Sequence, residues 1–246
     1  MNHNKFILSP VSNILKDVVS ASSGIGDGIE TYPLCDYVMQ SVFLKMTGAQ
    51  EQKMKCIVWE LATNDYDYRY ERFTKSPLGE CSNYTEKKII YNDLIKQIEK
   101  YMGNSFDMNA IDKNNILKKT NKLITDTFLG TNLLIWTQMS FNEYKIIWND
   151  ISDEYFAIKK ELLLKKDNIS STGKALFEMY EEHLYKHRNR VAHNTLSYQQ
   201  NLPTLNTLEK NDYLYNNYFI YFSIIILIDN IIISLYNEYL KALRTY

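Results

Sequence analysis

The stretch YFIYFSIIILIDNIIISL at positions 218–235 decides the fold class of this chain. Its residues are apolar except for two serines, Asp229 and Asn230. A helix that spans a membrane needs about 20 mostly apolar residues, and an Asp beside an Asn near its centre is expensive in lipid. We therefore expect a buried last helix of a helical bundle, with a membrane span as the alternative.

Helical periodicity also precedes this stretch along most of the chain. Apolar residues recur at intervals of three and four positions, as in helices with one buried face. The pattern predicts helices over positions 34–46, 50–63, 84–101, 111–128, 133–148, 155–164, 172–190 and 213–243. Residues suited to helix N-caps precede three of them, at Asn83, at Asn109 and at positions 170–172.

Features of other fold classes are missing from the sequence. No strand-type alternation is long enough for a sheet, and there is no internal repeat or low-complexity linker. Only 8 Gly and 4 Pro interrupt the 246 residues, which favours long regular elements. We predict an all-α antiparallel helical bundle over positions 33–246. Extra N-terminal helical structure and a flexible glycine-rich loop would occupy positions 1–32.

Composition limits the compartment and the kind of partner. The net charge is -1, so any binding of nucleic acid requires a local basic patch, such as Lys174, Lys186, Arg188 and Arg190. Three cysteines form no CxxC motif, and the N-terminus carries no apolar signal segment. These features indicate a cytoplasmic protein.

The stretch HLYKHRNRVAHN at positions 183–194 contains the pattern most suggestive of chemistry: Arg188, Asn189, three further residues and His193. Arginine carries a permanent cation with a fork of donors that suits a phosphate. Histidine has an unperturbed pKa of about 6.5, so it exchanges protons near neutrality. Together they indicate acid/base chemistry on a phosphodiester, with further cations at Lys186 and Arg190.

This motif resembles that of the HEPN family, all-α ribonucleases whose signature is Arg, usually a polar residue, a short spacer and His. Arg188, Asn189 and His193 match it position by position, and the motif lies in the penultimate helical region, before a long apolar helix. The resemblance implies a metal-independent RNA endonuclease without a cofactor. It also implies a toxin or antiviral defence effector whose site forms across a homodimer interface.

The resemblance also implies the reaction. The 2′-hydroxyl of single-stranded RNA attacks the adjacent phosphate, leaving a 2′,3′-cyclic phosphate and a 5′-hydroxyl. His193 would move the proton, Arg188 would stabilise the phosphoryl oxygens, and Asn189 would orient the phosphate or the imidazole. Phosphate contacts are predicted for Lys186, His187 and Arg190. An antitoxin or defence-system partner is implied, although Thr195 replaces the Tyr that a nucleotidyltransferase modifies in one branch of the family.

An ideal helix would place Arg188 and His193 about 140° apart around its axis. Either the helix ends inside the motif, or two protomers contribute to one site. The competing interpretation is structural: an Arg that caps a helix C-terminus and a buried His.

Other patterns allow alternative sites. His183 and His187 lie four residues apart beside Glu182, a spacing that could hold a metal, but zinc usually needs a third or fourth ligand. Asp27 with positions 51–53 loosely resembles the acidic core of restriction-type nucleases, although that core lies on strands and this region looks helical.

An aromatic and charged cluster extends from Trp59 to Arg72. Tyr66, Tyr68 and Tyr70 could stack on bases, but such clusters more often pack a helix end or bind a partner. The second functional hypothesis is therefore a catalytically inactive helical module that binds a protein through this cluster.

Overall fold

The computed structural model describes residues 3–160, 162–169, 173–192 and 217–245, and these residues are mostly helical. The helices in chain order are α1 (His3–Leu8), α2 (Ser12–Ala21), α3 (Tyr32–Asn64), α4 (Tyr66–Tyr70), α5 (Tyr84–Met102), α6 (Lys113–Phe128), α7 (Leu133–Asn149), α8 (Leu176–Glu178), α9 (Lys186–Ala192) and α10 (Tyr218–Thr245). Two strands, β1 (Phe156–Lys159) and β2 (Leu162–Leu164), pair antiparallel. The predicted helical character is confirmed.

Helix α10 is the centre of the core. It packs against α3, α5, α6 and α7, and nearly all of its apolar side chains are buried. It is long and apolar enough to cross a membrane, but 78% of its most apolar 18-residue window is buried inside the protein. This burial is that of a core helix, and it stabilises the fold by removing apolar surface from water.

Asp229 at the centre of α10 is explained by its buried hydrogen-bond partners. Asp229 is 1% exposed and accepts a hydrogen bond from Lys53 Nζ on α3 at 2.5 Å. Its second oxygen accepts from the backbone N–H of Val11 at 2.9 Å, and Lys53 also donates to the carbonyl oxygen of Ser9 at 2.8 Å. A buried charge requires such partners. Lys53 and Asp229 thereby join α3 and α10 to the segment between α1 and α2.

Helix α3 is one 33-residue helix where the periodicity predicted two. The expected break around Gly48 does not occur. A glycine inside a helix costs only about 1 kcal/mol relative to alanine, and residues on both sides of it, such as Met46 and Met54, are fully buried. Packing of the two halves against the same core therefore outweighs the local preference.

Positions 155–164 were predicted as a helix, and this prediction is wrong. The segment forms the β1–β2 hairpin, with Phe156 opposite Leu164. Both residues are buried, and the hydroxyl of Tyr84 on α5 bonds the backbone N–H of Leu164 at 2.9 Å. A short apolar run fits a helix and a strand equally well by periodicity. Tertiary contacts decided between helix and strand. The expectation that the chain forms no sheet is therefore wrong at this hairpin.

Some of the capping residues predicted from the sequence form the observed helix ends, and others do not. Asn83 caps α5 through its side-chain oxygen, which accepts from the N–H of Glu86 at 2.8 Å, and Gly103 ends α5 with a φ of 69°. The cap predicted at Asn109 is wrong, because Asp112 caps α6 instead. The N-terminal region forms two helices rather than one, since proline at position 10 disfavours a helical residue before it.

Candidate functional site

Helix α9 carries Arg188 and Asn189, and Arg188 lies at its contact with α3. A π-helical turn over Met179–Tyr185 precedes α9. The Arg188 guanidinium is held on two sides: Nη2 lies 3.0 Å from Glu51 on α3, and Nη1 donates to Asn189 Oδ1 at 3.0 Å. Its side chain is 21% exposed. The guanidinium is therefore fixed in orientation while part of it remains accessible.

A second cation lies beneath this ion pair. Lys87 on α5 is 2% exposed and donates to the carbonyl oxygen of Cys81 at 2.8 Å. Burial lowers the pKa of Lys87 to about 8, while the charge of Glu51 raises it and that of Arg188 lowers it further. Glu51 therefore interacts with two cations, Arg188 and Lys87.

The three predicted phosphate-binding residues differ in environment. Lys186 is exposed and forms an ion pair with Glu182. Arg190 has a buried Nε without a hydrogen-bond partner among the described residues. His187 points inward: its Nε2 lies 2.9 Å from the Tyr218 hydroxyl.

Burial and the charge of Arg190 lower the pKa of His187 to about 4, so its ring is neutral at neutral pH. His187 also packs on Phe43 with ring centroids 5.4 Å apart. A neutral, half-buried ring is a poor phosphate ligand. The inward position of His187 therefore does not suit the phosphate contact expected from the sequence.

His193 and Thr195 lie outside the described residues. The structure describes α9 through Ala192, so Arg188 and Asn189 are the parts of the motif that it places. Whether Arg188 and His193 meet in one cleft stays a prediction.

The two histidines with metal-type spacing have separate partners. His183 is buried, and its Nε2 lies 3.1 Å from Lys174 Nζ, while the Nε2 of His187 faces Tyr218. In the part of the chain that the structure describes, no three His, Cys, Asp or Glu side chains form a group that could hold a metal ion.

The remote nuclease alternative receives no geometric support. Glu51 and Lys53 are two residues apart on α3, so their side chains point about 160° apart around the axis. Glu51 binds Arg188, and Lys53 binds Asp229. Asp27 lies in the loop between α2 and α3, whereas positions 51–53 are helical as expected.

The cluster around Tyr66 divides into a buried and an exposed half. Tyr68 is buried and donates to Asp93 at 3.0 Å, and Arg72 binds the same carboxylate through two 2.7 Å hydrogen bonds. The aromatic patch consists of four exposed side chains: Trp59, Tyr66, Tyr70 and Phe73. Two cavities of about 300 and 260 Å³ adjoin the patch, and Trp59 and Phe73 line both.

Sequence reasoning missed the roles of Glu51 and Lys87. Both lie on otherwise buried helical stripes: Glu51 between Thr47 and Met54 on α3, and Lys87 between Tyr84 and Tyr91 on α5. A charged residue at an apolar position of a helix repeat is the signal that could have identified them.

The comparisons with known proteins returned no relatives. No family model matches the chain, and neither the curated proteins nor the solved structures contain a match. The interpretation of the site therefore rests on its own residues and on the resemblance of the Arg188 motif to the HEPN signature.

Proposed function

We propose that this chain is a metal-independent endoribonuclease that cleaves single-stranded RNA, with Arg188, Asn189 and His193 as catalytic residues. The observation that carries the proposal is the Arg188 guanidinium, which Glu51 and Asn189 fix in a partly exposed position near the buried cation Lys87. A preorganised cation is what a phosphoryl transition state requires, because no reorganisation is needed as charge develops.

The chemistry transfers one phosphoryl group within the RNA. The 2′-oxygen forms a bond to phosphorus and loses its proton to a base, the bond from phosphorus to the 5′-oxygen breaks, and the leaving oxygen takes up a proton. In a homodimer, two copies of His193 would act as base and acid, with general acid/base help of about 10²–10⁴-fold. Lys186 and Arg190 would hold flanking phosphates.

A cytoplasmic toxin or an antiphage defence effector is the biological role that we infer from the motif. Such an enzyme requires control of its activity, since uncontrolled RNA cleavage harms its own cell. An antitoxin or defence-system partner would supply that control.

The experiment compares wild-type protein with Arg188→Lys and His193→Ala on labelled single-stranded RNA in EDTA, with end-group analysis. Lysine retains the charge opposite Glu51 but lacks the planar fork, so the fold is kept while phosphate geometry is lost. His3→Ala and Arg244→Ala are controls, because they change the same residue types outside the motif. We expect cyclic-phosphate ends from wild type and controls, and a loss of at least a hundredfold in both motif variants. Cleavage that needs Mg²⁺, or that survives both substitutions, would contradict the proposal.

The second candidate is a catalytically inactive helical module that binds a protein through the aromatic patch. The exposure of Trp59 and Phe73 beside two cavities favours it, because aromatic anchors in pockets dominate many interfaces. Peptides selected from a display library on wild-type protein should lose binding to Trp59→Ala. They should retain binding to Tyr37→Ala, which removes another exposed aromatic side chain at the other end of α3. Folded protein that cleaves none of several RNAs, together with this pattern, would favour the module.

A further inference from the structure

A groove of about 720 Å³ lies between α2 and α6, with Asn230 of α10 also in its lining. It lies on the side of the bundle where Lys53 contacts Ser9 and Asp229, the neighbours of two lining residues. Arg188 contacts Glu51, whose side chain points about 160° away from Lys53 around α3. The groove is therefore separate from the candidate ribonuclease site.

Two polar stripes face each other across the groove. Lys16 and its neighbours on α2, Asn13 and Ser20, follow a spacing of three and four residues, which places them on one helix face. Lys119, Lys122 and Asp126 repeat this spacing on α6. Because α2 and α6 contact each other, the stripes form opposite walls.

The walls carry an excess of positive charge. Lys16, Lys119 and Lys122 contribute three ammonium groups, and Asp126 contributes the single carboxylate in the lining. Within the described ranges, no carboxylate forms an ion pair with any of these lysines. Three ammonium groups outnumber the single carboxylate and repel each other, so an anion in the groove would stabilise this arrangement.

The lining also offers uncharged hydrogen-bonding groups. Hydroxyl groups come from serines on α2 and from Thr127 and Thr131. The side-chain amide of Asn230 makes no hydrogen bond to any residue in the described part of the chain, although it belongs to the most apolar helix of the protein. An unpartnered amide beside three cations suits the oxygen atoms of an anionic ligand.

We propose that the groove between α2 and α6 binds a small molecule with two or more phosphate groups, held between Lys16 on one wall and Lys119 and Lys122 on the other. The volume is that of a small-ligand site, which is typically about 300–1,000 Å³. The lining contains no aromatic side chain. It therefore offers no surface for base stacking, on which single-stranded RNA binding depends.

The test is calorimetric titration of the full chain with sodium tripolyphosphate and with ATP at low salt. We expect one site per chain, with binding that weakens as salt is added. Lys119→Gln and Lys16→Gln should each weaken binding roughly tenfold, the loss of one charge-assisted hydrogen bond. Lys118→Gln is the matched control, because this exposed lysine lies beside Lys119 on α6 but does not line the groove.

Asp126→Asn should change the affinity for the ligand in the opposite direction. It removes the carboxylate that repels the ligand, so binding should tighten by up to about fivefold. Equal losses in Lys118→Gln and Lys119→Gln would overturn the proposal, because they would indicate non-specific charge attraction. Absence of binding to both probes would also overturn it. So would preferential binding of a short single-stranded RNA with the same lysine dependence, which would make the groove an RNA site.

Discussion

At the residue scale, buried charged and polar side chains account for the most specific contacts of the molecule. Lys53 binds Asp229, Arg72 binds Asp93, and Arg188 binds Glu51. Each pair joins two helical segments, with Arg72 on a π-helical turn over Glu71–Lys75, and the carboxylate of each pair is 8% exposed or less. Removing one partner of such a pair leaves the other charge buried without compensation.

Asp229→Ala should destabilise the protein by about 3–5 kcal/mol, because it leaves the Lys53 ammonium and the Val11 N–H without their acceptor. Urea unfolding measures this change. Glu238→Ala is the matched control on the same helix: its ion pair with Lys241 lies at the surface, and its loss should cost at most about 1 kcal/mol.

The same pair allows a double-mutant cycle. The variant with both Lys53→Met and Asp229→Leu should lose less stability than the sum of the two single changes, since neither side chain then leaves a buried charge. Additive losses would show that Lys53 and Asp229 do not interact in solution.

Protonation of His187 should destabilise the fold at acidic pH. Its pKa is about 4 in the folded protein and 6.5 when unperturbed. Between these values the unfolded chain binds a proton that the folded chain does not, so stability falls as pH decreases from 6.5 to 4 and levels off below. The unfolding free energy of His187→Gln, measured over this pH range, should therefore decrease less than that of the wild type. Parallel curves for wild type and variant would contradict the inward position of His187.

At the element scale, long helices outweigh local interruptions, and short apolar segments depend on their surroundings. Helix α3 continues through Gly48, whereas the segment 156–164 became a hairpin. A long periodic pattern contains many positions that agree on one buried face. A segment of nine residues contains too few for this agreement, so contacts with α5 determined its structure.

Gly48→Ala should stabilise the protein by about 0.5–1 kcal/mol. A Cβ at this position meets no atom within 4 Å, and alanine reduces the conformational entropy of the unfolded chain. Gly103→Ala is the matched control: the space is equally open, but its φ of 69° strains a side chain, so the substitution should destabilise. Thermal unfolding of both variants measures the difference, and destabilisation by Gly48→Ala would indicate a break in α3.

At the scale of the whole molecule, α3 and α10 form the centre of the structure. The proposed ribonuclease residues lie on α9 at one side of α3, and the groove between α2 and α6 lies at another. A ligand in the groove would contact α10 at Asn230, one residue from the ion pair that binds α3. The two candidate sites are therefore joined by buried contacts rather than by a shared surface.

The proposed homodimer predicts the activity of mixed dimers. If both copies of the motif form one site, co-expression of wild-type and Arg188→Ala chains in equal amounts should leave about one quarter of the wild-type activity, because one dimer in four has two intact motifs. Independent protomers would retain about one half. Purification through two different tags, followed by the RNA assay, measures the activity of the mixed species directly.

The sequence by itself determined the helical class, the burial of α10 and the cap at Asn83, because periodicity and capping depend on residues within a few positions of each other. It also supplied Arg188 and Asn189 as candidates. Only the tertiary structure decided that Glu51 binds Arg188, that Lys53 binds Asp229 and that a hairpin replaces a helix at 156–164. The two ion pairs join residues 137 and 176 positions apart, and no local pattern specifies which helix faces meet once the chain packs.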